Sequence, residues 1–304
     1  MKKGIILAAG SGTRLGPITQ GIRGNNGGVS KPLVLTCDKP TIYYSLSDLI
    51  SAGINHILIV TAPECTDDYV NMLGDGTELG VKISYTTQPE PLGIAHVFML
   101  DSVKEFIGDA SVALTFGDNV FSGDSFTEEI RNCPDPKGAT GFAYKVDDPT
   151  RFGVVEFDDK GRAISIEEKP TNPKSDFAVV GIYFYDNSVV EVAKGIEMSD
   201  RGEYEITSIN EAYLDKGKLE VVTLGEDVDW FDTGTVDSLM EAHNFVYHEQ
   251  KRTGRLIGSP EYAAYSAGFI TRDQLLDLAV QKPLWKSGYG KVLKGMVEKN
   301  VYVR

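Results

Sequence analysis

The sequence predicts an α/β fold: a Rossmann-like, mostly parallel mixed sheet flanked by helices. Short apolar runs alternate with segments of helical periodicity through the first half of the chain, as in sheets whose parallel strands are joined by helices. The run at residues 5–8 breaks into a glycine-rich turn, and the run at 111–116 ends at Gly117 and Asp118. Ligands bind beyond the carboxyl ends of such strands, so both turns are expected at one binding edge.

The first half justifies this assignment element by element. β-branched or apolar runs predict strands at residues 5–8, 56–60, 81–86 and 111–116. Thr41 is a suitable N-cap, and apolar residues at helical spacing follow it until Gly53. Further helices are predicted at residues 67–73 and 92–107.

The second half departs from this alternation. A hairpin is predicted from strands at residues 153–157 and 163–166 around a turn at 158–161. Strands at 178–185 and 219–224 and helices at 189–195 and 205–217 follow. The remainder is predicted to be helical, with a capping-box pattern from Thr271 to Gln274. We therefore expect an α/β core over residues 1–235 with a β-hairpin excursion, and a helical C-terminal region over residues 236–304.

Composition excludes several functional classes. The 304-residue chain has a net charge of −14 and a pI near 4.8, which argues against nucleic-acid and anionic-membrane binding. Its apolar runs are shorter than the roughly 20 residues of a membrane span. The apolar N-terminal run is too short for a signal peptide, and Arg14 follows it closely. Three widely spaced cysteines indicate no disulfide framework or zinc site, so a cytoplasmic location is expected.

The turn after the first strand has the chemistry of an anion site. Its glycines and small hydroxyls let backbone N–H groups point at a phosphate, and Arg14 and Lys31 add positive charge. Residues 1–40 contain six basic residues and one acidic residue in an otherwise acidic chain. A purely structural turn is the alternative. Leu15 replaces the third glycine of a dinucleotide fingerprint, and no Gly-Lys-Ser/Thr closes a P-loop.

Two aspartates from distant parts of the chain are candidate Mg²⁺ ligands. Asp118 and Asp232 each follow an apolar stretch, and carboxylates beside phosphate oxygens are typical ligands of Mg²⁺. Taken singly, each could instead be a turn or cap residue. Glu168 and Lys169 could be a solvated hairpin end or could contact sugar hydroxyls and phosphate. The histidines show no metal-binding spacing, and no nucleophilic triad stands out.

Eight motifs in order resemble the sugar-1-phosphate nucleotidyltransferases, most closely their short thymidylyl-transferring members. They lie at residues 7–15 with 31–32, 88–95, 117–119, 152–157, 167–170, 181–186, 201–207 and 230–234. The similarity covers almost the whole chain. The resemblance implies a nucleotide-binding half over about 1–120 and a sugar-phosphate-binding part over about 121–235.

The resemblance also implies site roles, residue by residue. The implied catalytic residues are Arg14, Lys31, Asp118, Lys169 and Asp232, of which Asp118 and Asp232 would bind Mg²⁺. The implied nucleotide contacts are Leu7, Ala9, Gly10, Ser11, Gly12, Thr13, Arg14, Lys31, Gln88, Pro91, Gly93 and Asp118. The implied sugar-phosphate contacts are Asn119, Gly153, Glu168, Lys169, Val180 and Arg201.

The implied reaction is Mg²⁺-assisted transfer of a nucleotidyl group from dTTP to glucose 1-phosphate, giving dTDP-glucose and pyrophosphate for deoxysugar or polysaccharide synthesis. UTP or another hexose 1-phosphate is the nearest alternative. A non-catalytic sugar-nucleotide-binding regulatory subunit is another, and a dinucleotide-dependent oxidoreductase is a distant third. The resemblance further implies a homo-oligomer, a tetramer, built through residues 236–304, with a possible regulatory nucleotide site.

The sequence departs from the usual family pattern at several positions. Leu92 and His96 stand where an Asp and a Gln are more common, and Phe152 and Val180 replace a Tyr and a Thr. The segment from Gly21 to Gly28 resembles an insertion and is expected to act as a lid over the phosphates.

Overall fold

A single mixed β-sheet forms the centre of the molecule in the computed structural model, which describes residues 2–21, 27–281 and 284–298. The strands are β1 (Lys2–Ala8), β2 (Leu35–Thr36), β3 (Lys39–Pro40), β4 (His56–Thr61), β5 (Lys82–Thr87), β6 (Ser111–Phe116), β7 (Asn119–Ser122), β8 (Ala139–Lys145), β9 (Gly153–Phe157), β10 (Ala163–Glu168), β11 (Phe177–Tyr185), β12 (Leu219–Thr223) and β13 (Asp229–Asp232). The helices are α1 (Pro17–Gln20), α2 (Ile42–Ser51), α3 (Thr66–Leu73), α4 (Asp101–Ile107), α5 (Asp124–Asn132), α6 (Val189–Lys194), α7 (Ile206–Asp215), α8 (Val236–Thr253), α9 (Pro260–Ser266), α10 (Arg272–Val280) and α11 (Gly288–Glu298).

Nine strands form the main sheet, in the order β10-β9-β11-β6-β1-β4-β5, with β8 on β11 and β12 on β8. The ladders of β1 with β4 and β6, of β4 with β5 and of β8 with β12 are parallel. Strand β11 is antiparallel to its neighbours, and β10 is antiparallel to β9. Seven strands therefore share one direction, which confirms the predicted mostly parallel mixed sheet.

Two hydrophobic layers cover the faces of this sheet. On one face, apolar residues of α2 pack with those of the C-terminal helices, including Leu46, Ala263 and Met296. On the other face, α4, α6 and α7 pack through residues such as Val103 and Ile209. The C-terminal helices thus share one core with the α/β part. The division into 1–235 and 236–304 stays a prediction.

One predicted helix is wrong in its extent. Instead of a single helix over 92–107, a 3₁₀ turn at Ala95–Met99 precedes α4, and Leu100 between them has extended backbone angles. Tertiary hydrogen bonds explain why this stretch does not begin as an α-helix at Leu92. Tyr204 donates its N–H to Leu92 O (2.8 Å) and accepts from Ala95 N (3.0 Å), so these groups are taken from helical pairing. The prediction also missed β7, α5, β8 and β13.

The segment 22–26, within the lid expected between Gly21 and Gly28, lies outside the described residues. Gly28 itself donates its N–H to Thr19 O (3.2 Å), and Val29 donates to Ile18 O (2.9 Å). None of the helices in the described ranges is both long and apolar enough to cross a membrane.

An orphaned carboxylate lies on the inner side of α2. Asp48 Oδ2 is buried and has no hydrogen-bond partner within the described chain. It lines a cavity of about 490 Å³ that is bordered also by α5, α8 and α9. Burial raises the pKa of Asp48 well above its ordinary value of 3.8. The folded chain therefore holds a proton that the unfolded chain releases, and stability falls as the pH rises above 3.8.

Asp48→Asn keeps the size of this side chain and removes its charge. We expect the variant to be about 1–3 kcal/mol more stable than the wild type at pH 8, with a smaller difference at pH 5, because the destabilisation by the wild-type carboxyl grows as the pH rises above 3.8. Urea unfolding at both pH values measures this. Asp109→Asn, at an exposed turn, is the control. A difference that does not grow with pH would contradict the argument.

Candidate active site

The glycine turn after β1 is held rigidly by its own neighbours. Gly12 adopts a left-handed backbone conformation (φ 61°), and its carbonyl oxygen accepts a hydrogen bond from Thr19 Oγ1 (2.6 Å). Gln20 Nε2 donates to Ser11 O (2.7 Å). A Cβ on Gly12 would lie 3.3 Å from Lys31 Cβ. The turn therefore packs directly against the segment that carries Lys31, as the charge pattern predicts.

Lys31 joins the two predicted metal-site carboxylates. Its Nζ contacts Asp118 Oδ2 and lies 3.8 Å from Asp232 Oδ1. The two aspartates meet because β13 pairs with β7 in the register that places Asp232 opposite Asn119. Thr233 strengthens this junction by donating its N–H (3.2 Å) and its Oγ1–H (2.8 Å) to Asp118 O. Residues separated by more than 110 positions thus form one buried cluster.

The two carboxylates have different electrostatic surroundings. Burial would raise the pKa of Asp118, but the Lys31 ammonium and the Asn119 amide outweigh it and hold that pKa below 3.8. Burial and the neighbouring Asp118 charge raise the pKa of Asp232. The cluster therefore holds an ionised Asp118 beside a carboxyl that gains from any added positive charge.

Two arginines border the same cluster. The Arg14 guanidinium lies beside Gly234, where a Cβ would be 2.7 Å from Arg14 Nη2 and 3.0 Å from each Asp232 oxygen. The charges of Arg14 and Arg151 both act to lower the pKa of Asp232. Sequence reasoning missed Arg151. Its one signal was its place directly before the motif at 152–157.

A cleft of about 150 Å³ connects the glycine turn with the loop after β5. Gly10, Ser11 and Lys31 line one side, and Gln88 and Pro91 line the other. This arrangement brings six of the predicted nucleotide contacts to one space: Ala9, Gly10, Ser11, Lys31, Gln88 and Pro91. Four further lining residues, Ala62, Pro63, Glu64 and Cys65, were not predicted, because they follow β4 in a loop without a phosphate-binding motif.

A second group of polar residues lies where β9 and β10 meet α7. Glu168 Oε2 accepts from Thr207 Oγ1 (2.5 Å), and Glu168 Oε1 lies 3.3 Å from Arg201 Nη1 and 3.6 Å from Lys169 Nζ. A Cβ on Gly153 would be 3.0 Å from Thr207 Oγ1. The structure therefore brings together four of the predicted sugar-phosphate contacts: Gly153, Glu168, Lys169 and Arg201.

The backbone of Lys169 has an unusual conformation. Its φ of 44° is left-handed for a residue with a side chain, which is disfavoured without compensation. Its N–H donates to Phe152 O (2.9 Å), which ends the β9–β10 hairpin. This bond turns the chain at Lys169 next to Glu168.

Asn119 and Trp230 connect the two groups of residues. Asn119 Nδ2 donates to Asp118 Oδ1 (3.1 Å), and Trp230 Nε1 donates to Asn119 Oδ1 (2.7 Å). The Trp230 ring packs edge-on against Phe152, with centroids 5.1 Å apart.

Val180, another predicted sugar contact, is fully buried in the core. No described group of three or more His, Cys, Asp or Glu residues could hold a metal by itself.

A doubly covered α/β sheet with an anion turn, a Lys–Asp–Asp cluster and a neighbouring polar pocket defines an enzyme that acts on nucleotide phosphates. The chain belongs to the nucleotidyl transferase family, whose model matches residues 3–249.

Full-length relatives are similar along the whole chain. A glucose-1-phosphate thymidylyltransferase of Mycolicibacterium smegmatis is 47% identical over 297 residues, covering 98% of this chain and 99% of its own. That of Neisseria meningitidis is 48% identical over 298 residues, covering 98% and 100%. A Bacillus anthracis structure, described as a candidate glucose-1-phosphate thymidylyltransferase in complex with a sucrose, is 39% identical with a TM-score of 0.71, covering 81% of this chain and 95% of its own.

Lys31→Met tests the electrostatic role of the cluster. Removing one partner of a buried ion pair costs about 3–5 kcal/mol of stability, so we expect a loss of this order at pH 8. The loss should shrink towards pH 5, because without the ammonium burial raises the pKa of Asp118 and protonation relieves the charge. Urea unfolding at the two pH values is the measurement. The double variant Lys31→Met/Asp118→Asn should regain part of the stability. If it is no more stable than Lys31→Met, the pairing is not what stabilises the cluster.

Proposed function

We infer that this protein is a glucose-1-phosphate thymidylyltransferase, which transfers the thymidylyl group of dTTP to glucose 1-phosphate and releases pyrophosphate. The observation that carries this inference is the position of Lys31, which lines the cleft beside the glycine turn and also contacts Asp118, with Asp232 3.8 Å away. It occurs in a chain that is 47% and 48% identical to thymidylyltransferases along their full lengths.

In the proposed complex, the triphosphate lies along the turn after β1. Backbone N–H groups between Gly10 and Thr13 would donate to its oxygens, and Arg14 and Lys31 would neutralise its charge. Gln88 and the backbone of Gly93 would contact the base across the cleft. Lys31 is already held beside Asp118, so its charge would be placed before the substrate arrives.

The sugar phosphate is proposed to occupy the pocket between β9, β10 and α7. The absence of a side chain at Gly153 leaves space beside Glu168 and Thr207. Glu168 would accept hydrogen bonds from sugar hydroxyls, and Lys169 and Arg201 would contact the phosphate. Arg201 forms ion pairs with Glu168, Glu203 and Glu205 in this structure. Its side chain is 42% exposed, so the guanidinium is accessible to a phosphate.

Asp118 and Asp232 fit a Mg²⁺ site. They supply two convergent carboxylates in a buried position, and Mg²⁺ is usually held by one or two carboxylates together with substrate phosphates. The raised pKa of Asp232 agrees with this. Lys31 contacts Asp118 directly but lies 3.8 Å from Asp232, so Asp232 has the weaker cationic partner of the two. When bound, the ion would neutralise phosphate charge and orient the reacting oxygens.

The proposed reaction requires the two substrates to be positioned and their charges neutralised, and it requires no protein nucleophile. An oxygen of the sugar phosphate attacks the α-phosphorus in line, the bond to the β-phosphate oxygen breaks, and pyrophosphate leaves. Arg14, Lys31 and Lys169 would hold both substrates and stabilise the charge that moves to the leaving group.

Pyrophosphate release measures this proposal. With glucose 1-phosphate and Mg²⁺, we expect turnover with dTTP, weaker or comparable turnover with UTP, and far less with dCTP, GTP or ATP. Chelation of Mg²⁺ should abolish it. Arg14→Met is expected to lower the rate by about 10²–10³-fold, the scale seen when one charge-stabilising group is lost.

Arg131→Met, an exposed arginine on α5 away from the cleft, is the matched control and should retain the wild-type rate. Wild-type protein without turnover on any triphosphate would contradict the enzyme assignment and favour a non-catalytic sugar-nucleotide-binding subunit. Turnover confined to ATP, whose adenine N1 carries a lone pair and no hydrogen, would contradict the assignment of Gln88.

We also propose that the helical C-terminal region forms a homo-oligomer interface. Val236, Met240 and Tyr247 lie on one side of α8, four and seven positions apart, and each is about half exposed (48%, 49% and 48%). A second copy of the chain would bury this apolar stripe.

Light scattering should give a mass of at least two chains of 33.2 kDa each. The double substitution Met240→Glu/Tyr247→Lys is expected to shift the protein towards the monomer, because it places charges in the proposed interface. Met72→Glu, a similarly exposed methionine on α3 (40%), should leave the mass unchanged. A wild-type monomer at micromolar concentration would overturn the proposed interface.

A further inference from the structure

The amide of Gln88 is held in one orientation by two acceptors. Its Nε2 lies 3.1 Å from the carbonyl oxygen of Gly93 and 3.2 Å from Nδ1 of His96. A carbonyl oxygen only accepts hydrogen bonds, so the group that faces Gly93 must be the NH₂ end of the amide. The second hydrogen of that NH₂ is then available to His96 Nδ1, which completes the pair in the tautomer that has its lone pair on Nδ1.

This arrangement leaves one polar atom of Gln88 for a ligand. Both amide hydrogens are bonded within the protein, and no group in the described part of the chain donates to Gln88 Oε1. Gln88 is only 7% exposed and lines the same cleft as Gly10 and Lys31. On the wall of the cleft opposite the glycine turn, Gln88 Oε1 is thus available to accept a hydrogen bond from a ligand. The NH₂ group of the same amide is already bonded to Gly93 and His96.

The acceptors themselves are fixed by one neighbouring segment. The His96 ring stacks on Tyr204, with centroids 6.0 Å apart and an interplanar angle of 18°. The backbone of Tyr204 bonds to Leu92 and Ala95 on either side of Gly93. Gly93 has a φ of 99°, and a Cβ there would lie 2.5 Å from Tyr204 O. The same contacts therefore set the Gly93 carbonyl and the His96 ring, and through them the amide.

We propose that His96 is a positioning residue for base selection: its Nδ1 keeps the Gln88 amide turned so that Oε1 accepts the N3–H of thymine or uracil. This inference rests on the proposed function. Cytosine has a lone pair at N3, which would face the Oε1 lone pairs. Guanine offers a similar N–H at N1, so the Gln88 amide by itself separates thymine and uracil from cytosine and adenine, but not from guanine.

The role of His96 differs from that of a packing residue in a measurable way. In His96→Leu the new side chain can still pack on the Tyr204 ring. The second acceptor of the Gln88 NH₂ group is lost, however, so the Gln88 amide can rotate. Rotation exposes an NH₂ that pairs with N3 of cytosine. We therefore expect KM for dTTP to rise, kcat to stay within about twofold, and the dTTP-to-dCTP ratio of kcat/KM to fall about tenfold, the factor that corresponds to one hydrogen bond.

His96→Gln separates the hydrogen bond from the ring. Its side-chain oxygen can accept from Gln88 Nε2, so this variant should regain the wild-type ratio. His56→Leu, a histidine at the start of β4 at the opposite end of the sheet, is the matched control. Thermal unfolding of all three variants identifies any that are poorly folded.

The inference is overturned if His96→Leu keeps the wild-type dTTP-to-dCTP ratio, or if His96→Gln is impaired as much as His96→Leu. The same ratio is measured in parallel as Kd values of dTTP and dCTP by calorimetry. Wild-type protein that binds dTTP but does not turn over would overturn the proposed function alone, while an unchanged ratio of Kd values in His96→Leu would overturn the role of His96 alone.

Discussion

The ion cluster of Lys31 with Asp118 and Asp232 is the interaction on which the organisation of the site depends. Two carboxylates side by side in a largely buried position cannot both stay ionised without positive charge, because desolvation and mutual repulsion both oppose their ionisation. Lys31 supplies that charge through direct contact with Asp118. The cluster ties the segment after the glycine turn to the ends of β6 and β13.

The sheet topology explains why the cluster of Lys31, Asp118 and Asp232 lies beside the glycine turn. Strands β1 and β6 are adjacent and parallel, so the turn after Ala8 and the turn at Asp118 leave the sheet at the same edge. Gly117 reinforces this by donating its N–H to Leu7 O (2.9 Å). The short β7–β13 ladder then brings Asp232 to the same point. The main sheet thus positions the glycine turn and Asp118, and the separate two-stranded sheet of β7 and β13 adds Asp232.

The two loops that carry the proposed base and sugar contacts are held by backbone hydrogen bonds. Tyr204 bonds to Leu92 and Ala95 in one loop, and Lys169 bonds to Phe152 in the other. Gly93 and Lys169 both have positive φ angles. At Lys169, which has a side chain, this conformation is strained and persists only where the surrounding structure determines it. The segment from Arg201 to Glu205 connects the two loops, since Tyr204 supports His96 while Arg201 contacts Glu168.

Local pattern in the sequence determined the α/β class, the strands from β1 to β6 in the main sheet, the hairpin of β9 and β10, and the concentration of positive charge around the first turn. These follow from apolar runs, glycine turns and charge, which act over a few residues. Only the tertiary structure decided the break before Leu100, the pairing of β7 with β13, the presence of Arg151 beside Asp232 and the hydrogen bond from Gln88 to His96. Each of these depends on groups far apart in the chain. No local pattern encodes them, because their energy comes from contacts that exist only after the sheet and its loops have assembled.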